Sequence, residues 1–313
     1  MRKSVFAVVL AMVAVLGAYG PVAAAQTSTA KVVIIVGATH GETAKYRSNA
    51  DELYAEAIQH TPNVTRVYSP NATWAAVKAA TTGANIVIYL GHGNGWPSPY
   101  TYDPLYTTKD GFGLNATAGQ GDYNNKYYGE PSIRSLDLAP NAIVFLHHLC
   151  YASGNSESSS NNPTLSVARQ RVDNYGAAFL AAGASAVIAD GHSHTGYYLR
   201  ALFTTTQTLS QLWRAAPNYH GHDIAFTPTR STGTAVLDPD TGGGTPSGYY
   251  RSIVGNLNVM SKEVLGVKLP PGVRGAPGVT IVPDHATVGT AAVTLPRTRS
   301  TTPITSRTLR LPR

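Results

Sequence analysis

Asn85-Ile-Val-Ile-Tyr-Leu-Gly91, which runs into His92-Gly93, and Ala142-Ile-Val-Phe-Leu146, which runs on to Cys150, decide the fold reading. Each is a short, continuous apolar run rich in β-branched residues and closed by glycine or polar residues. Such a run reads as a strand buried on both faces. Lys31-Val-Val-Ile-Ile-Val-Gly37 and Ala184-Ser-Ala-Val-Ile-Ala189 have the same character, and Val64 to Tyr68 reads as a shorter strand. Helices are predicted between them. Thr43 to His60 carries Ala50, Leu53, Tyr54 and Ala57 at helical spacing, and Asn71 is placed to cap a helix carrying Trp74, Val77 and Ala80. Ser166 to Ala182 and Tyr197 to Ala215 complete the helical set. Strands alternating with helices imply an α/β fold whose parallel sheet is covered on both faces, and right-handed crossovers make a doubly wound sandwich the simplest topology.

Working outward, the pattern fades beyond Gly221. Gly248 to Val254 reads as one more strand, and from Leu269-Pro-Pro the composition shifts to Val, Thr, Pro and Gly. The chain is therefore divided into residues 1–25, 26–265 and 266–313, the last being a basic tail that is either a small β appendage or disordered. At the other end, Arg2-Lys3, the apolar run Val5 to Ala18 and Ala23-Ala24-Ala25 have the order of a signal peptide cleaved before Gln26. The expectation is an exported, extracellular protein with no membrane span after signal removal. The formal net charge is +7, but Arg297, Arg299, Arg307, Arg310 and Arg313 crowd an end that has no acid after His285. The charge is therefore that of a tail that either contacts a cell-wall polymer or another acidic surface or is simply a solvated end, and it does not point to nucleic-acid binding.

Cys150 is the chain's one cysteine. In an exported chain a lone thiol makes no internal disulfide, so it is either a small buried hydrophobe or a working group. Ligands of a doubly wound sheet bind outside the carboxyl ends of the strands. Those ends carry Thr39-His40, His92-Gly93, Cys150 and Asp190-Gly191-His192-Ser193-His194. If the strands before His92 and Cys150 are neighbours, about 5 Å apart, both residues reach one carbonyl carbon. A thiol then supplies the nucleophile and an imidazole moves the protons. Glycine at 93 lets the backbone approach a substrate, and its N–H is a candidate oxyanion donor.

Leu90-Gly91-His92-Gly93 after a buried strand, Ile143 to Leu146 leading to Cys150, and Phe179 to Ala189 behind them resemble the caspase, gingipain, separase and CHAT-domain cysteine peptidases of clan CD. The resemblance spans Lys31 to Ala215. It implies a caspase-like three-layer α/β/α sandwich with a mostly parallel doubly wound sheet plus a C-terminal extension. It also implies a secreted bacterial cysteine peptidase with Cys150 and His92 catalytic, Gly93 and the Cys150 N–H as oxyanion donors, a peptide or protein substrate, and no cofactor or metal. Leu149 replaces the family's usual small residue before the cysteine, and His148 stands where members cleaving after basic residues often have an acid.

His148, Asp190, Trp96 and His40 are candidate substrate-binding residues, and Glu157 is a second acid within reach. His147 and His148 flank the nucleophile, so an imidazolium there, or at His92, is expected to lower the thiol pKa. The Tyr-rich stretch from Asn94 to Pro140 either lines a substrate groove or packs on its own aromatics. Two other functions stay open at this stage. One is an inactive caspase-like scaffold binding through the Tyr-rich loop and basic tail. The other is a metallohydrolase using His192 and His194 with His40, His92 or Asp190.

Overall fold

The computed structural model describes residues 28–157, 160–191, 195–242 and 245–269. The signal segment, residues 270–313 of the expected tail, and the His192/His194 pair lie outside the described residues. In chain order the elements are β1 (Val32–Val36), α1 (Thr43–Ala57), β2 (Val64–Tyr68), α2 (Trp74–Thr81), β3 (Ile86–Leu90), β4 (Phe112–Asn115), β5 (Asn125–Tyr128) and α3 (Glu130–Ile133). There follow β6 (Ala142–His147), α4 (Leu165–Ala181), β7 (Ala184–Asp190), α5 (Thr195–Thr204), α6 (Leu209–Arg214), β8 (Ile224–Phe226) and β9 (Thr234–Leu237). The chain continues through β10 (Asp240–Gly242), β11 (Thr245–Ser247), β12 (Arg251–Gly255) and α7 (Ser261–Val264).

One eight-stranded sheet runs β2-β1-β3-β6-β7-β12-β9-β8. The first five strands are parallel and the last three alternate in direction. Its two faces explain the continuous apolar runs. Val33, Ile35, Val87, Tyr89, Val144 and Leu146 face a core closed by α2, α3 and α4. Val32, Ile34, Val36, Ile86, Ile88, Leu90, Ile143 and Phe145 face a second core closed by α1, α5, α6 and α7. A strand with both pleat faces buried has no polar face to alternate with, so period two vanishes from its sequence.

The crossovers place the crevice. The chain leaves β1 for β2 through α1 on one face, then crosses back over β1 to β3 through α2 on the other. From β3 to β7 it stays on that second face, through α3 and α4, and it returns to the first face with α5 and α6. The connections after β1 and β3 thus diverge to opposite faces, which opens a crevice beyond their carboxyl ends. Gly37 N–H donates to Leu90 O at 2.9 Å and holds those two ends together.

Three local expectations are corrected. The cap of α2 is Thr73, not Asn71, since the Thr73 hydroxyl accepts from Ala76 N. The helix expected over Tyr197 to Ala215 is two. The Thr204 and Thr205 hydroxyls donate back to Arg200 O and Ala201 O, and Thr208 with Gln211 forms a capping box that starts α6 afresh. Beyond Gly221 the sheet gains three more strands, and β12 runs antiparallel between β7 and β9. Among the described residues no helix is long and apolar enough to cross a membrane.

That antiparallel half is organised by a buried cation. Arg251 is fully buried, and its guanidinium reaches Asp238 Oδ2, Trp213 O at 2.7 Å, the Tyr198 hydroxyl at 3.1 Å and Asp190 Oδ2 at 3.8 Å. Asn218 donates to both Asp190 oxygens. Removing one partner of such a buried cluster strands charge in the interior, at a cost of about 3–5 kcal/mol. Arg251→Leu should therefore destabilise the folded chain by that order, read as a lower urea midpoint. An unchanged midpoint would show that Asp190 and Asp238 find solvent or each other without it.

Candidate active site

β3 and β6 pair in parallel with Leu90 opposite His147, so the residues two and three positions further on leave the sheet side by side. His92 follows β3 and Cys150 follows β6. A Cβ added at Gly93 would collide with the Cys150 carbonyl oxygen and stand 3.0 Å from Cys150 N, so only glycine allows the two backbones this close. Among the described residues neither the Gly93 nor the Cys150 N–H donates to a main-chain carbonyl. On either side of the thiol, His148 (φ 56°) and Tyr151 (φ 71°) occupy the left-handed region. For non-glycine residues such backbone is costly and persists where the surroundings impose it.

His92 is held from behind. The Tyr89 hydroxyl lies 3.0 Å from His92 O and 2.9 Å from Gly113 O, and it accepts from Gly113 N at 2.8 Å. One buried phenol thus joins the end of β3 to the β4–β5 hairpin. The buried His92 Nε2 has no hydrogen-bond partner among the described residues. His40 comes from the end of β1, its ring centroid 5.0 Å from that of His92, and stacks on Tyr123 at 4.9 Å.

The electrostatics contradict one expectation. Burial, then the Glu157 carboxylate, pushes the Cys150 thiol up, not down. Burial, then the neighbouring His40, pushes His92 down. Both shifts disfavour the charged form of the group concerned. The two histidines beside the cysteine in sequence make their described contacts away from it. His147 has the strand parity of Ile143 and Phe145, so it faces α5, where its Nδ1 lies 2.8 Å from the Thr195 hydroxyl. His148 leans on Tyr46, with ring centroids 6.3 Å apart.

Of the candidate binding residues, the structure brings His40 to His92 and His148 to Tyr46. Asp190 is not at the surface of the crevice. It is buried under the site with Asn218 and Arg251, while its carbonyl accepts from His148 N. Trp96 N–H donates to Asp110 Oδ1, its carbonyl accepts from Asn174 Nδ2, and its ring packs on Tyr102. The Tyr-rich stretch divides between both readings. Trp96, Tyr102 and Tyr106 pack on one another, whereas Tyr100 donates to Glu157 Oε1 at 2.7 Å on the site side. Tyr127 belongs to the Tyr-rich stretch, whereas Tyr46 on α1 is not marked by the sequence reading. Burial, and after it a Cys150 thiolate, raises the Tyr46 phenol; burial raises Tyr127, with Cys150 and Glu157 adding to it. Nothing in the spacing of α1 distinguishes Tyr46 from an ordinary half-buried helix tyrosine. Glu157, in contrast, stands where a second acid was expected.

The sequence model of peptidase family C25 matches residues 9–234. The chain belongs to that family, the gingipain family of clan CD, and is accordingly a cysteine-type peptidase, a hydrolase, with a caspase-like α/β fold. No curated protein matches the chain.

Gly93 gives the sharpest local test. Gly93→Ala should drive the two strand ends apart and lower kcat/KM for a peptide substrate by about 100-fold, the scale of a misplaced reacting group. Circular dichroism should remain native. Full activity in a folded Gly93→Ala variant would mean that this backbone approach has no part in the reaction.

Proposed function

We propose that the chain is an exported cysteine endopeptidase in which Cys150 is the nucleophile and His92 the general acid–base. The observation that carries this reading is the adjacency of the β3 and β6 ends, with Gly93 against the Cys150 backbone and an unengaged His92 Nε2. In the first half-reaction the Cys150 sulfur attacks the scissile carbonyl carbon as His92 takes the thiol proton. The Gly93 and Cys150 N–H groups stabilise the oxyanion. His92 then gives that proton to the leaving nitrogen as the C–N bond breaks, leaving a thioester. In the second half-reaction His92 takes a proton from water, the hydroxide adds to the thioester carbonyl, and the proton returns to sulfur as the acid leaves. Glu157, joined to Tyr100 at the rim, is a fitting partner for a cationic substrate side chain.

Starting from two neutral groups fixes the pH dependence. The active free enzyme needs His92 deprotonated and Cys150 protonated, so kcat/KM should rise through a pKa below the ordinary histidine value of about 6.5. It should fall only above the ordinary thiol range of about 8.5. His40→Ala removes the neighbour that helps push His92 down and should move the acid limb upward. An acid limb already at or above the ordinary histidine value in the parent enzyme would argue for a preformed thiolate–imidazolium pair instead. Cys150→Ser and His92→Ala should each abolish measurable peptide hydrolysis while leaving urea midpoints nearly unchanged. Retained hydrolysis in either variant sinks the dyad.

For export, the Ala23-Ala24-Ala25 site sets the expected mature terminus at Gln26. N-terminal sequencing of protein recovered from the medium should begin there. Recovered protein that still begins at Met1 would remove both the signal and the export reading.

A further inference from the structure

We propose that His220, His222 and Asp238 form a binding site for a divalent transition metal, with Zn2+ the best match, apart from the catalytic crevice. One ligand atom from each residue lies within 4.8 Å of the other two. The donor set is two imidazoles and one carboxylate, which suits Zn2+ and not the oxygen-seeking Ca2+ or Mg2+. Asp238 also lies beyond the residues that the family model matches.

The cluster is built by the chain around Asp238. The His220 N–H donates to Asp238 Oδ2 at 2.8 Å and the His222 N–H to Oδ1 at 2.9 Å. Gly221 between them has φ 79°, the left-handed turn that brings both histidines round to one carboxylate. Oδ2 also takes the Arg251 guanidinium, whereas Oδ1 accepts only the His222 N–H among the described residues and keeps a lone pair for a metal.

The imidazoles are oriented as well. His222 Nδ1 lies 2.9 Å from Pro239 O, an acceptor, so Nδ1 carries the proton and Nε2 keeps its lone pair. His220 Nδ1 stands 3.1 Å from Asp240 Oδ1 and 4.0 Å from Asp238 Oδ2, held between two carboxylates. A carbonyl or carboxylate behind a ligating histidine is the usual outer support of a metal site. Charge favours a cation too. Among the described residues Asp190, Asp238 and Asp240 converge on this edge around the Arg251 guanidinium, and the nearby Arg214 is paired with Asp223. The site lies on the same edge of the sheet as Cys150. It is three strand spacings from β6, on the order of 15 Å, too far to share a ligand with Cys150.

The test uses the full mature chain carrying Cys150→Ser, so that a thiol cannot capture the metal. Zn2+ titrated against a chromophoric chelator should bind at one equivalent per chain in the micromolar range or tighter, and should raise the thermal midpoint. Equal concentrations of Ca2+ or Mg2+ should not compete. His220→Ala and His222→Ala should each weaken Zn2+ binding more than about 10-fold, and Asp240→Asn about 10-fold through lost support of His220. In EDTA these surface variants should melt with the parent, which separates lost ligation from lost fold. Asp238 is left intact because its removal would strand Arg251. A parent that takes up no Zn2+, or a His220→Ala/His222→Ala double variant that binds it as tightly as the parent, overturns the proposal.

Discussion

The pairing of β3 with β6, Leu90 opposite His147, is the constraint on which the candidate site depends. It brings two chain segments 57 residues apart, Leu90 and His147, to neighbouring exits from the sheet, and Gly93 lets them close until backbone meets backbone. Everything around that contact maintains it. Tyr89 pins the β3 exit to the β4–β5 hairpin, and the Tyr175 hydroxyl accepts from Asn94 N just beyond it. Each of these phenols is buried, and burial raises both far out of the titrating range, so they act as fixed hydrogen-bonding struts.

The second half of the sheet rests on a different principle. β12 and β9 continue the hydrogen-bonded ladder, but their crevice ends are tied by charge, through Arg251 between Asp190 and Asp238. This explains why Asp190, at a strand end where a ligand-binding acid is expected, is unsuited to select substrate. Its oxygens are occupied by Asn218 and face Arg251. Position at the carboxyl edge nominates a residue; side-chain parity decides whether it faces the crevice or the layer beneath.

That distinction measures what the sequence makes legible. The five parallel strands are readable because both their faces are buried, so their apolar character is continuous. The placement of His92 and Cys150 at neighbouring strand exits is readable because each follows such a run. β12 is only partly readable, since a buried arginine opens it and a glycine closes it, and β8 and β9 are too short to carry a period. His147 is instructive because its orientation follows from parity with Ile143 and Phe145, although its closeness to Cys150 in sequence suggests the opposite. The thiol shift was not legible at all. It arises from burial and from Glu157, brought back by Tyr100 from a loop whose path no local pattern specifies.

A thiol pushed up and an imidazole pushed down form an unusual starting point for a nucleophile, because most activated cysteines are stabilised as thiolates. On the reading of an exported peptidase the arrangement has a physical advantage. Oxidation and disulfide exchange both proceed through the thiolate, and a chain with one cysteine has no internal partner to restore a thiol once it is oxidised. Keeping Cys150 protonated until a substrate carbonyl arrives slows those losses. The proton must then leave during attack, which places the demand on His92 Nε2 being neutral and unengaged at that moment. Burial and the His40 neighbour supply the first condition, and the absence of a hydrogen-bond partner among the described residues supplies the second. On that reading, the burial that disfavours charge on both groups also suits His92 to act as the base.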